Sequence, residues 1–103
     1  MAVILSVDFP QPNGPFGAKM SEDFAWLAQS IAEEEGLIWK IWTENADEKT
    51  AGGIYCFDTR EHAEKYLKMH TARLEKFGYA GIRGKIFDIN LPLSLIDKAE
   101  FLK

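Results

Sequence analysis

Two short runs constrain this chain more than any other part of it. They are Leu37–Glu44 (LIWKIWTE) and Ala51–Asp58 (AGGIYCFD), joined by the turn segment Asn45–Thr50 (NADEKT). Aromatic and β-branched residues bounded by turn formers read as the two strands of a hairpin. Trp39, Trp42, Tyr55 and Phe57 fall within it, beside Lys40 and the pair Gly52–Gly53. Such a surface serves as core or as the wall of an apolar pocket, because aromatic side chains bring large area and, in Tyr and Trp, a polar tip.

The flanking segments extend the pattern. A first strand is expected over Ala2–Phe9, followed by a loop, Pro10–Gly17 (PQPNGPFG), whose prolines and glycines forbid regular structure. A helix is expected over Lys19–Glu35, with Met20, Phe24, Leu27, Ala28 and Ile31 as its apolar stripe and Gly36 as its stop. Trp26 falls on the opposite face, where either a partner surface covers it or it lies flat on its own helix. A second helix is expected over Thr59–Phe77. Thr59 is its N-cap, and Ala63, Tyr66, Leu67, His70, Leu74 and Phe77 form its stripe. A fourth strand, Gly81–Asn90, precedes a break at Pro92 and a short helix over Ser94–Leu102, with Ser94 and Asp97 as a weakened capping box.

The order βαββαβ, with two crossovers, implies an α+β ferredoxin-like antiparallel sheet with both helices on one face. Residues 1–103 are thus one domain, with residues 91–103 as a C-terminal tail. Strand parity places Val3, Leu5, Val7 and Phe9 on one face of the first strand. It sets Leu37, Trp39, Ile41 and Thr43 against Ile38, Lys40, Trp42 and Glu44 on the second. Large apolar groups on both faces, mixed with charges on one, suit a sheet-on-sheet homodimer better than open solvent.

Composition excludes several functions. The net charge is −4 with no dense basic cluster, which argues against nucleic-acid partners. No apolar run reaches the ~18–20 residues of a membrane span. The N-terminal MAVILSVDFP lacks a basic region and a cleavage site, so it reads as a strand rather than a signal peptide. The single cysteine, Cys56, rules out an internal disulfide and fits a cytoplasmic location, with Cys56 as a small buried thiol. His62 and His70 lie on one expected helix without matching Cys or His elsewhere, which is not zinc spacing. Gly52–Gly53 belongs to a strand, not to a phosphate loop, and no G-x-S-x-G element occurs.

Asn13–Gly17 (NGPFG), Trp39–Glu44 (WKIWTE), Ala51–Phe57 (AGGIYCF), His70–Leu74 (HTARL) and Phe87–Ser94 (FDINLPLS) occur in this order. Together they resemble the YdhR family of small bacterial proteins, described as candidate monooxygenases. The resemblance covers essentially the whole chain. It implies a dimeric α+β barrel in which two ferredoxin-like sheets pack face to face. It also implies kinship with monooxygenases that oxidise polycyclic aromatic phenols or quinols with dioxygen and no cofactor. The resemblance brings no catalytic residues with it.

Candidate residues therefore come from the pattern. His70 sits mid-stripe and reads either as a satisfied core histidine or as a general base or hydrogen-bond donor lining a cavity between helix and sheet. Arg73, at the border of that stripe, would stabilise an anion or stay solvated. Tyr55 offers a phenol. Trp39 and Trp42 point to opposite sheet faces, so one belongs to the cavity and the other to the dimer face. Phe16 and Asn13 belong to a loop that is either a lid with an apolar plug or a rigid turn. Lys40 and Glu44 read as a solvated or interfacial ion pair. The competing readings are a non-catalytic binder of small aromatic or apolar ligands, and haem degradation. Haem-degrading relatives of the fold use an asparagine on strand one and a tryptophan on strand three. This chain has Ser6 and Asp8, and Tyr55 and Cys56, at those places, which disfavours haem.

Overall fold

In a computed structural model that describes residues 1–102, alternation along the first strand sets the layers. β1 (Val3–Pro10) buries Val3, Leu5, Val7 and Phe9 under the helices, while Ile4, Ser6 and Asp8 face the other way and are only partly covered. The remaining strands are β2 (Leu37–Asn45), β3 (Thr50–Phe57) and β4 (Arg83–Asp88). All pairings are antiparallel, in the order β2-β3-β1-β4. This is the ferredoxin-like arrangement. The last residue of the tail, Lys103, lies outside the described residues.

The first helical segment is not continuous. It comprises α1 (Gly17–Asp23) and α2 (Ala25–Ala32), broken at Phe24, whose backbone sits at φ −108° and ψ 10°. The Phe24 and Ala28 amides still donate to the Met20 and Phe24 carbonyls, so the axis bends without losing its ladder. Met20, Leu27 and Ile31 remain on the buried side. The helix ends before the expected Glu35. Gly36, at φ +84°, instead makes the turn into β2, and a side chain there would lie 2.5 Å from both Asp58 and His62.

The third helix, α3 (Arg60–Lys76), follows the expectation closely. The Thr59 hydroxyl accepts from the His62 amide, and Ala63, Tyr66, His70 and Leu74 are buried. The tail departs from it. Pro92 does not break the chain but sits in the first turn of α4 (Leu91–Ile96), where its missing N–H is no loss. The cap is Asn90, whose side chain accepts from the Leu93 amide. Ser94 instead donates to the Asn90 carbonyl, so there is no capping box. A single 3-10 turn, Glu100–Leu102, follows.

One irregularity in β2 decides which side chains reach the helix layer. Leu37 pairs with Phe57, but Trp39 pairs with Cys56, so a bulge occupies Ile38. The bulge reverses the parity expected for Leu37. It joins Lys40, Trp42 and Glu44 on the helix side, and Trp39, Ile41 and Thr43 take the open face. That open face carries Ile41 and Phe87, 53% and 48% exposed. The tail covers it in part, with Phe101 edge-on to Trp39 at 5.6 Å. Cys56 is a free thiol, buried on this sheet, and burial pushes its pKa up.

Candidate active site

Between the helices and the sheet lies an enclosed, almost wholly apolar cavity of about 30 Å³, room for one or two waters. Trp42, Lys40 and Tyr55 reach it from the sheet, His70 and Phe77 from α3, and Trp26 from α2. Trp26 is therefore neither bare nor flat on its own helix. Its ring meets Phe77 edge-on at 5.9 Å, and the two, about half exposed, close the outer side. Phe24 stacks on Trp42 at 6.3 Å on another side. Beyond that pair, an open groove of about 480 Å³ runs past Ser21, Ala28 and Glu44, sharing Met20, Phe24 and Trp42 with the cavity.

His70 is 3% exposed and stacks on Tyr66. Arg73, one turn on, donates to His70 Nδ1 from Nη2 at 2.8 Å and from Nε at 3.3 Å. A guanidinium only donates, so Nδ1 is the acceptor and the ring proton resides on Nε2. Burial, then the charges of Arg73 and Lys40, press the imidazole's pKa down to about 3. The ring is neutral, and its basic nitrogen is already engaged. Of the roles the sequence allowed, this geometry suits the hydrogen-bond donor better than the general base.

Tyr66 donates to the Tyr55 hydroxyl at 3.0 Å in the same buried cluster. Desolvation raises the pKa of both phenols, that of Tyr55 to about 12. Neither is an anion near neutral pH.

Lys40 is the residue that sequence reasoning missed. No ion pair joins it to Glu44 among the described residues. Glu44 Oε1 instead accepts from the Gly17 amide at 2.7 Å. Lys40 turns inward, with Nζ 3.4 Å from the Trp42 ring centroid and 4.7 Å from that of Tyr55. Gly53 makes this course possible, since a Cβ there would lie 2.5 Å from Lys40 Cε. Desolvation, then Arg73, lowers the ammonium's pKa to about 7. The available signal was parity: Lys40 shares a face with Trp42, whose cross-strand partner is Gly53.

The other candidates lie elsewhere. Trp39 is on the open face. Phe16 caps α1 and does not line the cavity. Asn13 borders a separate surface groove with Phe77 and Tyr79. Its loop is pinned: buried Gln11 donates to the Pro15 carbonyl and accepts from the Tyr79 hydroxyl, both at 2.8 Å. That is the rigid turn, not the lid. Among the described residues no three His, Cys, Asp or Glu side chains converge as a metal-ligand set.

The family described as "Putative mono-oxygenase ydhR" matches residues 4–100. No curated protein is significantly similar to the chain. Among solved structures, a "putative antibiotic biosynthesis monooxygenase" from Deinococcus radiodurans superposes with a TM-score of 0.57. It is 10% identical, over 87% of this chain and 93% of that one. At that identity the likeness concerns the fold alone.

Proposed function

The chain belongs to the ydhR mono-oxygenase family, and from that premise we propose that it is a cofactor-independent monooxygenase of planar phenols or quinols. The observation that carries this reading is the composition of the cavity. Aromatic walls meet one cation, Lys40, and the imidazole of His70, with the Arg73 guanidinium behind that ring, and among the described residues no carboxylate lines the space. Such a site favours a flat aromatic held as its anion. A phenolate is the form of substrate able to pass one electron to dioxygen, after which carbon and oxygen recombine. Overall a ring C–H becomes a quinone C=O, and the second oxygen atom leaves as water, so the substrate is the only reductant.

The cavity is smaller than any such ring. Substrate therefore enters from the adjoining groove by displacing Phe24 from Trp42, and water leaves as it enters. Arg73 fixes the His70 tautomer so that Nε2–H is the donor, and Tyr55 supplies a second hydroxyl. The half-covered face with Ile41, Phe87 and Trp39 pairs with a second copy of the chain, as two sheets packed face to face.

The test is dioxygen uptake against a panel of polycyclic phenols and quinols, with and without chelator. One O2 consumed per quinone formed, unchanged by chelator, is the expected result. Tight binding of the same compounds with no uptake would leave a binding protein in place of an enzyme. Sedimentation at micromolar concentration should give twice the chain mass.

A further inference from the structure

Four groups that can carry or exchange a proton lie at or next to the cavity: Lys40 on β2, Tyr55 on β3 and His70 on α3 line it, and Arg73 on α3 stands behind His70. Three are unsuited to taking a proton from a bound phenol. Arg73 only donates. His70 has its Nδ1 lone pair committed to Arg73. Tyr55 receives the Tyr66 proton and is itself an acid too weak to be ionised. The fourth is a flexible amine with no carboxylate partner among the described residues.

Its position is built. The stem crosses Gly53, where any side chain would collide with Cε, and Nζ is held over the Trp42 face at the cavity wall. A lysine needed only for solubility would extend into water, and Ile41 and Glu44 on the same strand show that water is near. An ammonium without a counter-ion in an aromatic cage is poised to release its proton or gain an anion.

We propose that Lys40 is the catalytic base: its amine takes the hydroxyl proton of a planar phenol or enol, and the resulting ammonium holds the anion in the cavity. The step is balanced: ArO–H and R–NH2 become ArO⁻ and R–NH3⁺, with no oxidant needed. The ordinary pKa of lysine would forbid it near neutrality, and burial removes that obstacle. Substrates are thereby restricted to hydroxyls acidic enough to be ionised by such an amine, as fused-ring phenols and anthrone-like enols are. The assignment rests on the phenol reading above for its substrate class, but not on oxygenation.

The test is therefore anaerobic. 2-Naphthol is neutral in neutral buffer, and its anion absorbs at longer wavelength than the phenol. Bound to the wild type, its apparent pKa should fall by about one unit or more, a tenfold gain for the anion. Lys40→Met should bind it as the neutral phenol. Lys40→Arg should recover anion binding at high pH; on any phenol that the wild type oxidises in air it should be at least about 10²-fold slower, because guanidinium cannot accept the proton. Circular dichroism and the Gly53→Ala protein, which displaces Lys40 without removing it, guard against a folding artefact. Gly53→Ala should also lose the naphtholate band. A wild type that binds naphthol only as the neutral phenol overturns the assignment, as does a Lys40→Met protein that still binds the anion. Naphtholate binding intact but no oxygen uptake on any phenol would instead remove the monooxygenase reading and leave Lys40 as the proton acceptor of a binding site.

Discussion

Burying Lys40 should cost the protein stability in a manner that depends on pH and can be removed by one substitution. The unfolded chain carries this amine at its ordinary pKa of 10.5, and the folded chain holds it at about 7. Between those values the unfolded state binds one more proton, so stability rises with pH across that window. Below about pH 7 both states are protonated and the penalty is complete. Above 10.5 both are neutral and it vanishes. At about 1.4 kcal/mol per tenfold change, the full displacement corresponds to about 5 kcal/mol. The ring faces of Trp42 and Tyr55 return about 1 kcal/mol each to the charged form, leaving a working value of about 3 kcal/mol. Lys40→Met keeps the stem over Gly53 and discards the charge. It should be about 3 kcal/mol more stable than wild type at pH 6, and the difference should shrink to near zero by pH 10.5. Urea unfolding of both proteins at four pH values measures it, provided the slopes agree. A Lys40→Met protein that is less stable than wild type at every pH by the same amount would refute the reasoning. The ammonium would then be a net stabiliser and not a strained group.

Two further outcomes follow from the same cluster and its surroundings. Arg73→Met frees His70 Nδ1 and removes one cation, so the imidazole's pKa should climb from about 3 toward the ordinary 6.5, read by NMR titration of the ring protons. In the wild type the unfolded ring binds a proton that the folded ring refuses between pH 3 and 6.5, so stability should fall with acid over that range, and less so in the variant. Gln11→Leu leaves the Pro15 carbonyl and Tyr79 hydroxyl without their partner. It should cost about 1–3 kcal/mol and raise hydrogen exchange selectively in residues 10–17.

The fold was legible because strand alternation and helix stripes report burial directly. Val3, Leu5, Val7 and Phe9 at period two, and Ala63, Tyr66, His70 and Leu74 at helical spacing, are the residues found buried. The break at Phe24 left no such trace, since no proline or glycine marks it and Met20 and Leu27 stay in phase across it. The site was half legible. Parity separated the two tryptophans and the stripe placed His70 inward, but charge misled for Lys40. A lysine on a mixed strand reads as solvated, and only the packing of Trp42, Tyr55 and Gly53 shows why this one is not. His70 was left open between core residue, base and hydrogen-bond donor because periodicity finds a buried imidazole but not what occupies its nitrogen. That needs the Arg73 rotamer, which spacing does not encode.

The bulge at Ile38 separates two duties along a single strand. Upstream of it, Leu37 belongs to the hydrophobic interior beside Phe57; downstream, Lys40 and Trp42 line the cavity. A regular strand would have tied these together, and any sequence with Leu37 inside would have sent Lys40 and Trp42 to the far side. In their stead Trp39 and Ile41 would have faced the helices, giving a cavity of similar girth but without charge. A relative lacking the extra residue can therefore keep the same sheet, the same helices and much of the same composition while presenting an uncharged chamber. Whether that one residue is present thus decides, in a chain of this architecture, which side chains of the strand the helices meet.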